Sequence, residues 1–171
     1  MSTPESNARI YVGDLPAKID EAFLRSLFSE CGPIPPGNIV IKKHRVPPKC
    51  YAFISFTQHK HAKKAIDELN YTKLDGVPIR ISWNDAETNR IRKSGIGNLY
   101  ISGLDESIEV SQLHEAFSEF GDIISCKIPL KKINDDPIEY KSNGYGYVQF
   151  RHPADAEKAM HDLNGASING K

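Results

Sequence analysis

Lys49-Cys50-Tyr51-Ala52-Phe53-Ile54-Ser55-Phe56 is an octamer in which small or aliphatic side chains alternate with rings and polar groups. Period-two alternation marks a strand with one covered face and one open face, because successive side chains point to opposite sides of a sheet. Ala52, Ile54 and Phe56 form the apolar inward set, which leaves Lys49, Tyr51 and Phe53 on the other side. The pattern returns in Asn143-Gly144-Tyr145-Gly146-Tyr147-Val148-Gln149-Phe150, 94 residues on. There Val148 and Phe150 point in, while Asn143, Tyr145 and Tyr147 point out.

Two more blocks repeat in the same order. Ile10-Tyr11-Val12-Gly13-Asp14-Leu15 matches Leu99-Tyr100-Ile101-Ser102-Gly103-Leu104, and the segment from His61 to Asn70 matches that from Asp155 to Asn164. Ile10 and Val12 point in, so Tyr11 joins the outward rings, as Tyr100 does in the second copy. The period is too long for stacked short repeats, so the chain holds a duplicated domain. Within the first copy, strands are expected at Ile10–Val12, Ile39–Ile41, Tyr51–Phe56 and Val77–Trp83. Helices are expected at Ile19–Glu30, with a stripe of Ala22, Phe23, Leu27 and Phe28, and at Lys60–Leu69. The second copy follows with helices at Gln112–Phe120 and Ala154–Leu163, and a longer loop at Lys131–Ser142.

This order, βαββαβ, is the ferredoxin-like arrangement, an α+β fold with both helices on one sheet face. The expected organisation is a disordered tail at 1–8, a first domain at 9–83, a link at 84–97 and a second domain at 98–171. Asp75-Gly76 precedes the first copy's last strand and Asn169-Gly170 is its counterpart. The chain ends at Lys171, so the second domain is expected to lack its last strand.

Composition narrows the function classes. The 171 residues carry 22 Lys/Arg and 22 Asp/Glu, so net charge does not drive any partner onto the chain. The distribution is uneven. Residues 1–83 hold 12 Lys/Arg against 8 Asp/Glu, and residues 99–171 hold 7 against 12. No segment reaches the roughly 20 apolar residues of a membrane helix, and the N-terminus lacks the basic-then-apolar order of a signal peptide. Three isolated cysteines fit reduced thiols in a cytoplasmic or nuclear protein. The histidines form no catalytic set, and no nucleophile triad, phosphate loop or paired-carboxylate motif is present, so no enzyme activity and no cofactor are expected. Gly95-Ile96-Gly97 and Gly144-Tyr145-Gly146 do not continue to the third glycine and helix of a dinucleotide loop.

Three rings on the uncovered face of each sheet call for a flat ligand, since a cluster of exposed aromatics is costly in water. Base stacking at ~1–3 kcal/mol per base supplies affinity without a large net charge. The hexamers and octamers resemble the two signature motifs of the RNA recognition motif (RRM). Trp83, the stretch Arg92-Lys93-Ser94-Gly95-Ile96-Gly97-Asn98, Ser125-Cys126-Lys127 and Leu163-Asn164-Gly165 add a resemblance to the first two modules of the cytoplasmic poly(A)-binding proteins.

That resemblance implies single-stranded, adenosine-rich mRNA in a trough across both sheets, with the link ordering on it. It adds Trp83, Arg92, Lys93, Asn98 and Lys127 to the contacts, beside Tyr11, Lys49, Tyr51, Phe53, Tyr100, Asn143, Tyr145 and Tyr147. Gly144 and Gly146 are expected to give backbone room beside stacked bases. The chain departs from the family at Ser102-Gly103, Cys50, Asn143 and Asp85, which leaves adenine selection open. A divergent pair with another RNA preference is one alternative. A protein-interaction adaptor in mRNA metabolism is the other, using Glu109, Glu115 and Glu119 on or near the second copy's first helix.

Overall fold

The computed structural model describes residues 8–45, 49–135 and 137–163, and the chain divides into two compact units, Met1–Ala86 and Glu87–Lys171. The first unit runs β1 (Arg9–Gly13), α1 (Glu21–Phe28), β2 (Ile39–His44), β3 (Lys49–Ser55), α2 (His59–Leu69), β4 (Lys73–Leu74), β5 (Val77–Pro78) and β6 (Arg80–Trp83). Its four-stranded sheet has the order β2-β3-β1-β6 with every pair antiparallel. Ile10, Val12, Ala52, Ile54 and Phe56 are fully buried, as alternation requires.

Helix α1 starts where Asp20 accepts a hydrogen bond from Phe23 N at 2.8 Å, satisfying one of the free amides of the first turn. Its buried side chains are Leu24 and Phe28. The expected stripe is therefore rotated: Ala22 and Phe23 face solvent, and Leu24 takes the inward place. The last strand is also shorter than expected. Val77–Pro78 pairs back onto Lys73–Leu74 as a small hairpin, and only Arg80–Trp83 joins the sheet. Pro78 has no amide to give a sheet ladder, which suits the hairpin edge.

The second unit takes all but the first residue of α3 (Ala86–Ser94), then β7 (Asn98–Ile101), α4 (Val110–Ser118), β8 (Ile123–Lys127), β9 (Leu130–Asp135), β10 (Ile138–Ser142), β11 (Gly146–Phe150) and α5 (Pro153–Leu163). Its sheet has the order β7-β11-β8 among the described residues. Leu113 and Phe117 of α4, Ala156 and Ala159 of α5, and Val148 and Phe150 of β11 are buried. Two expectations change here. The longer loop at 131–142 is largely a β-hairpin, with Lys141 opposite Lys131 and a register shift at Glu139/Tyr140. The link at 84–97 contains the nine-residue helix α3. Ala8, expected in the tail, is buried, and its carbonyl accepts from Phe56 N at 2.9 Å. The rest of the tail, Asn164-Gly165, Asn169-Gly170 and the expected absence of a last strand lie outside the described residues.

His114 on α4 carries a pH consequence. Burial pushes its pKa below the ordinary histidine value, with the Asp122 carboxylate opposing. The unfolded chain therefore takes up this proton first, as pH falls through about 6.5. The stability of the neutral, partly buried ring is full above that pH and is lost as pH drops towards the lowered folded value. Thermal melts between about pH 7 and pH 5 should show a smaller acid loss for His114→Gln than for the parent. Equal losses would refute the assignment.

Candidate nucleic-acid interface

Register places the rings. Tyr11 on β1 stands opposite Phe53 on β3, and Ile10 stands opposite Ile54, so the two sets occupy opposite faces of the first sheet. Ring centroids lie at 5.7 Å for Tyr11–Tyr51, 5.9 Å for Tyr11–Phe53 and 5.7 Å for Tyr51–Phe53. The second sheet repeats the figure with Tyr147 opposite Tyr100. Its distances are 5.6 Å for Tyr100–Tyr145, 5.6 Å for Tyr100–Tyr147 and 6.0 Å for Tyr145–Tyr147. The angles agree too: 39°, 55° and 87° in one triad, 38°, 55° and 87° in the other. Tyr100 is 60% exposed and Tyr147 38%. These rings pack edge to tilted face, and α1, α2, α4 and α5 lie over the opposite faces.

Charge on the open side of the first sheet is mainly positive. Lys49 Nζ sits 5.4 Å from the Tyr51 ring centre, a cation–π distance. Lys42 is in register with Tyr51, and His44 with Lys49. His44 also stacks on Tyr51, with centroids 5.7 Å apart and planes at 16°, and its Nε2 lies 3.2 Å from the Tyr51 hydroxyl. Arg80 is in register with Gly13 at the edge of this face and donates from Nε to Asp14 Oδ2 at 2.8 Å. His44 and Arg80 were not expected at the interface. Extending the outward alternation from Lys42 one step would have found His44, and alternation between buried Ile79 and Ile81 would have found Arg80. Lys43, by contrast, is in register with inward Cys50 and donates to Ala17 O.

In the second sheet Lys127 lies opposite Tyr147, on the ring face. Asn143 is exposed just ahead of β11, and Asn98 is exposed at the start of β7 opposite Gln149. Arg92 and Lys93 occupy the last turn of α3, where Arg92 also donates to Asn89 Oδ1 at 2.9 Å.

Two expected contributors are elsewhere. Trp83 is in register with Ile10, so it points to the helix side of the sheet. There it packs on the core and stacks on His59, with centroids 4.7 Å apart and planes at 3°. Gly146 is buried on the inward face, where a Cβ would lie 2.9 Å from Leu113 Cδ2 and 3.0 Å from Lys127 O. It makes room for α4 rather than for a base. Gly144 does need glycine, with φ +80°. Its carbonyl accepts from Leu104 N at 2.9 Å, as the Cys50 carbonyl does from Leu15 N at 3.0 Å. Cys50 and Cys31 are buried, and burial raises both thiol pKa values.

With two superimposable ring triads established, the comparisons with known proteins decide the family. The model of the RNA recognition motif matches residues 10–80 and again 99–171. The chain belongs to the RNA recognition motif family. RNA is therefore the ligand class of this RRM pair, and the family is one of binding modules rather than catalysts. A curated relative, Polyadenylate-binding protein 2 of Arabidopsis thaliana, is 35% identical over 99% of the chain. The chain spans 26% of that relative's length.

Two solved structures share the tandem fold. The Sxl-lethal protein/RNA complex is 24% identical, with 95% of each chain covered and a TM-score of 0.52. The RNA-binding domain of Hrp1 in complex with RNA is 18% identical, with 92% of this chain and 89% of that one covered and a TM-score of 0.56. Among the described residues, no helix is long and apolar enough to cross a membrane, and no group of three His, Cys, Asp or Glu could hold a metal ion.

Proposed function

We propose that this RRM pair holds single-stranded, adenosine-rich mRNA by stacking bases on Tyr11, Tyr51 and Phe53 in the first module and on Tyr100, Tyr145 and Tyr147 in the second. The observation that carries the reading is the repetition of one ring geometry, to within a few tenths of an ångström, on the uncovered face of both sheets. Stacking at ~1–3 kcal/mol per base is sequence-tolerant, so the platform supplies affinity and leaves base choice to other contacts. Lys49, Lys127, Arg92 and Lys93 would meet phosphates, and Asn98 and Asn143 would offer amides to base edges or sugars. Trp83 would support the first sheet from behind rather than touch RNA. The relative named for polyadenylate binding supports adenine as the preferred base. The same likeness supports a place in cytoplasmic or nuclear mRNA metabolism.

Fluorescence anisotropy with labelled homopolymers of A, U, C and G tests this reading. Tightest binding to A is expected. Equal binding to all four removes the adenine preference and keeps the stacking platform, and binding to none removes the RNA function.

A second reading concerns the helical back of the second module. Glu109, Glu115 and Glu119 are all exposed at or beside α4, whose inward residues Leu113 and Phe117 face the core. They would offer an acidic surface to a basic protein partner while the ring face holds RNA. Capture of a partner that survives nuclease but is lost on charge reversal of these residues would support it, and loss on nuclease treatment alone would count against it.

A further inference from the structure

Gln149 is on the ring face of the second sheet, in register with Asn98 and two residues along β11 from Tyr147, yet it is only 4% exposed. A polar side chain on an uncovered face is buried only if another segment lies over it. That segment is the end of α3 and the turn after it: Gln149 Nε2 donates to Ile91 O at 2.9 Å and to Ile96 O at 3.0 Å. Two carbonyl partners fix the amide's orientation, because its oxygen could only repel them.

Other bonds tie the same segment down. Arg151 donates from its guanidinium to Thr88 Oγ1 at 3.0 Å and to Asp122 Oδ2 at 2.9 Å, and Thr88 is fully buried. Phe150 N donates to Gly97 O at 2.9 Å, and a Cβ on Gly97 would lie 2.7 Å from Phe150 O. A nine-residue, strongly polar helix is too short to persist on propensity alone, so these attachments decide its placement. The equivalent position in the first sheet is Ser55, opposite Arg9, which is too short to reach across in this way.

We propose that Gln149 is a positioning residue for RNA binding, clamping α3 onto the ring face of the second sheet. Arg92 and Lys93, which follow Ile91 directly, then form a fixed basic edge for phosphates of a strand stacked on Tyr100, Tyr145 and Tyr147. The role rests on the ring-face reading above and adds to it. A held cation loses less conformational freedom on meeting a phosphate than one on a free link, so the clamp works by preorganisation.

The test uses the full chain with Gln149→Ser, which installs the first module's equivalent residue, and Gln149→Glu, which keeps the shape but loses both donated hydrogens. Amide exchange at residues 89–94 should accelerate in both variants while Val148 and Cys126 stay protected. Binding of labelled oligo(A) and oligo(U) should weaken about five- to twentyfold. The slope of log affinity against log salt should become shallower by about 0.7 for each phosphate the variant no longer neutralises. Gln149→Glu, normalised to the parent at the same pH, should recover part of the affinity in acid, where its protonated carboxyl donates one hydrogen bond. Gln149→Ser should not.

A merely structural role would lower the melting temperature and leave the salt slope unchanged. Folded variants with the parent's exchange rates, or with its salt slope, overturn the clamp. Should one variant fail to fold, the other decides. A folded parent that binds neither oligonucleotide overturns the ring-face reading and this role with it, while the exchange rates still show whether Gln149 holds α3.

Discussion

Tyr51→Ala and Tyr145→Ala are each expected to weaken RNA binding more than tenfold. Each tyrosine touches both other rings of its triad, at 5.7 Å from Tyr11 and Phe53 in one case and at 5.6 and 6.0 Å from Tyr100 and Tyr147 in the other. Removing one takes away a third of a platform in which every ring supports the other two. A missing stack costs ~1–3 kcal/mol, and each ~1.4 kcal/mol is tenfold in affinity. The tethered pair adds to the effect, because a weakened module no longer raises the local concentration of RNA for the other. Tyr145→Phe keeps the ring and should stay near the parent. Anisotropy titration reads all three. If both alanine variants remain within twofold of the parent, the rings are not the binding surface.

The second large effect lies in the core of the first module. Phe28→Ala is expected to cost about 3–5 kcal/mol, because the ring is fully buried and its removal leaves a cavity the close-packed interior fills only in part. Phe23→Ala, five residues earlier on the same helix but 45% exposed, should cost no more than about 1 kcal/mol. Two modules in one chain need not unfold together, so a single probe for both would mislead. Trp83 is the sole tryptophan and belongs to the first unit, so its fluorescence in urea follows that unit alone. Similar costs for the two variants would show that α1 packs through a different face.

Those two phenylalanines also show where reading the chain succeeds and where it stops. The strands were legible because period-two alternation has only two outcomes, and burying Ala52, Ile54 and Phe56 forces Tyr51 and Phe53 outward. The first helix was harder. Ala22, Phe23, Leu24, Leu27 and Phe28 offer several overlapping apolar arcs. The choice of Leu24 over Phe23 depends on how the Asp20 cap starts the helix above the sheet. Trp83 misled for a different reason. The family resemblance placed it among the contacts, whereas its register with Ile10 turns it to the helix side with buried Ile79 and Ile81. Alternation sets Gly146 inward between Tyr145 and Tyr147, but how closely α4 approaches it was not legible, because the Cβ that would clash is the atom it lacks.

The sequence by itself determined that two copies of one βαββαβ plan follow each other, and which rings each copy leaves uncovered. Both facts rest on local periodicity and on repetition, which need no knowledge of distant contacts. Only the tertiary structure decided that 86–94 is a helix held to the second sheet, that 130–142 is largely a hairpin, and that Trp83 stacks on His59. Each of these depends on partners far along the chain: Gln149 and Arg151 for Ile91 and Thr88, and Ile10 and His59 for Trp83. Short polar segments have no strong propensity of their own, so the hydrogen bonds and packing available where the fold brings them set their conformation.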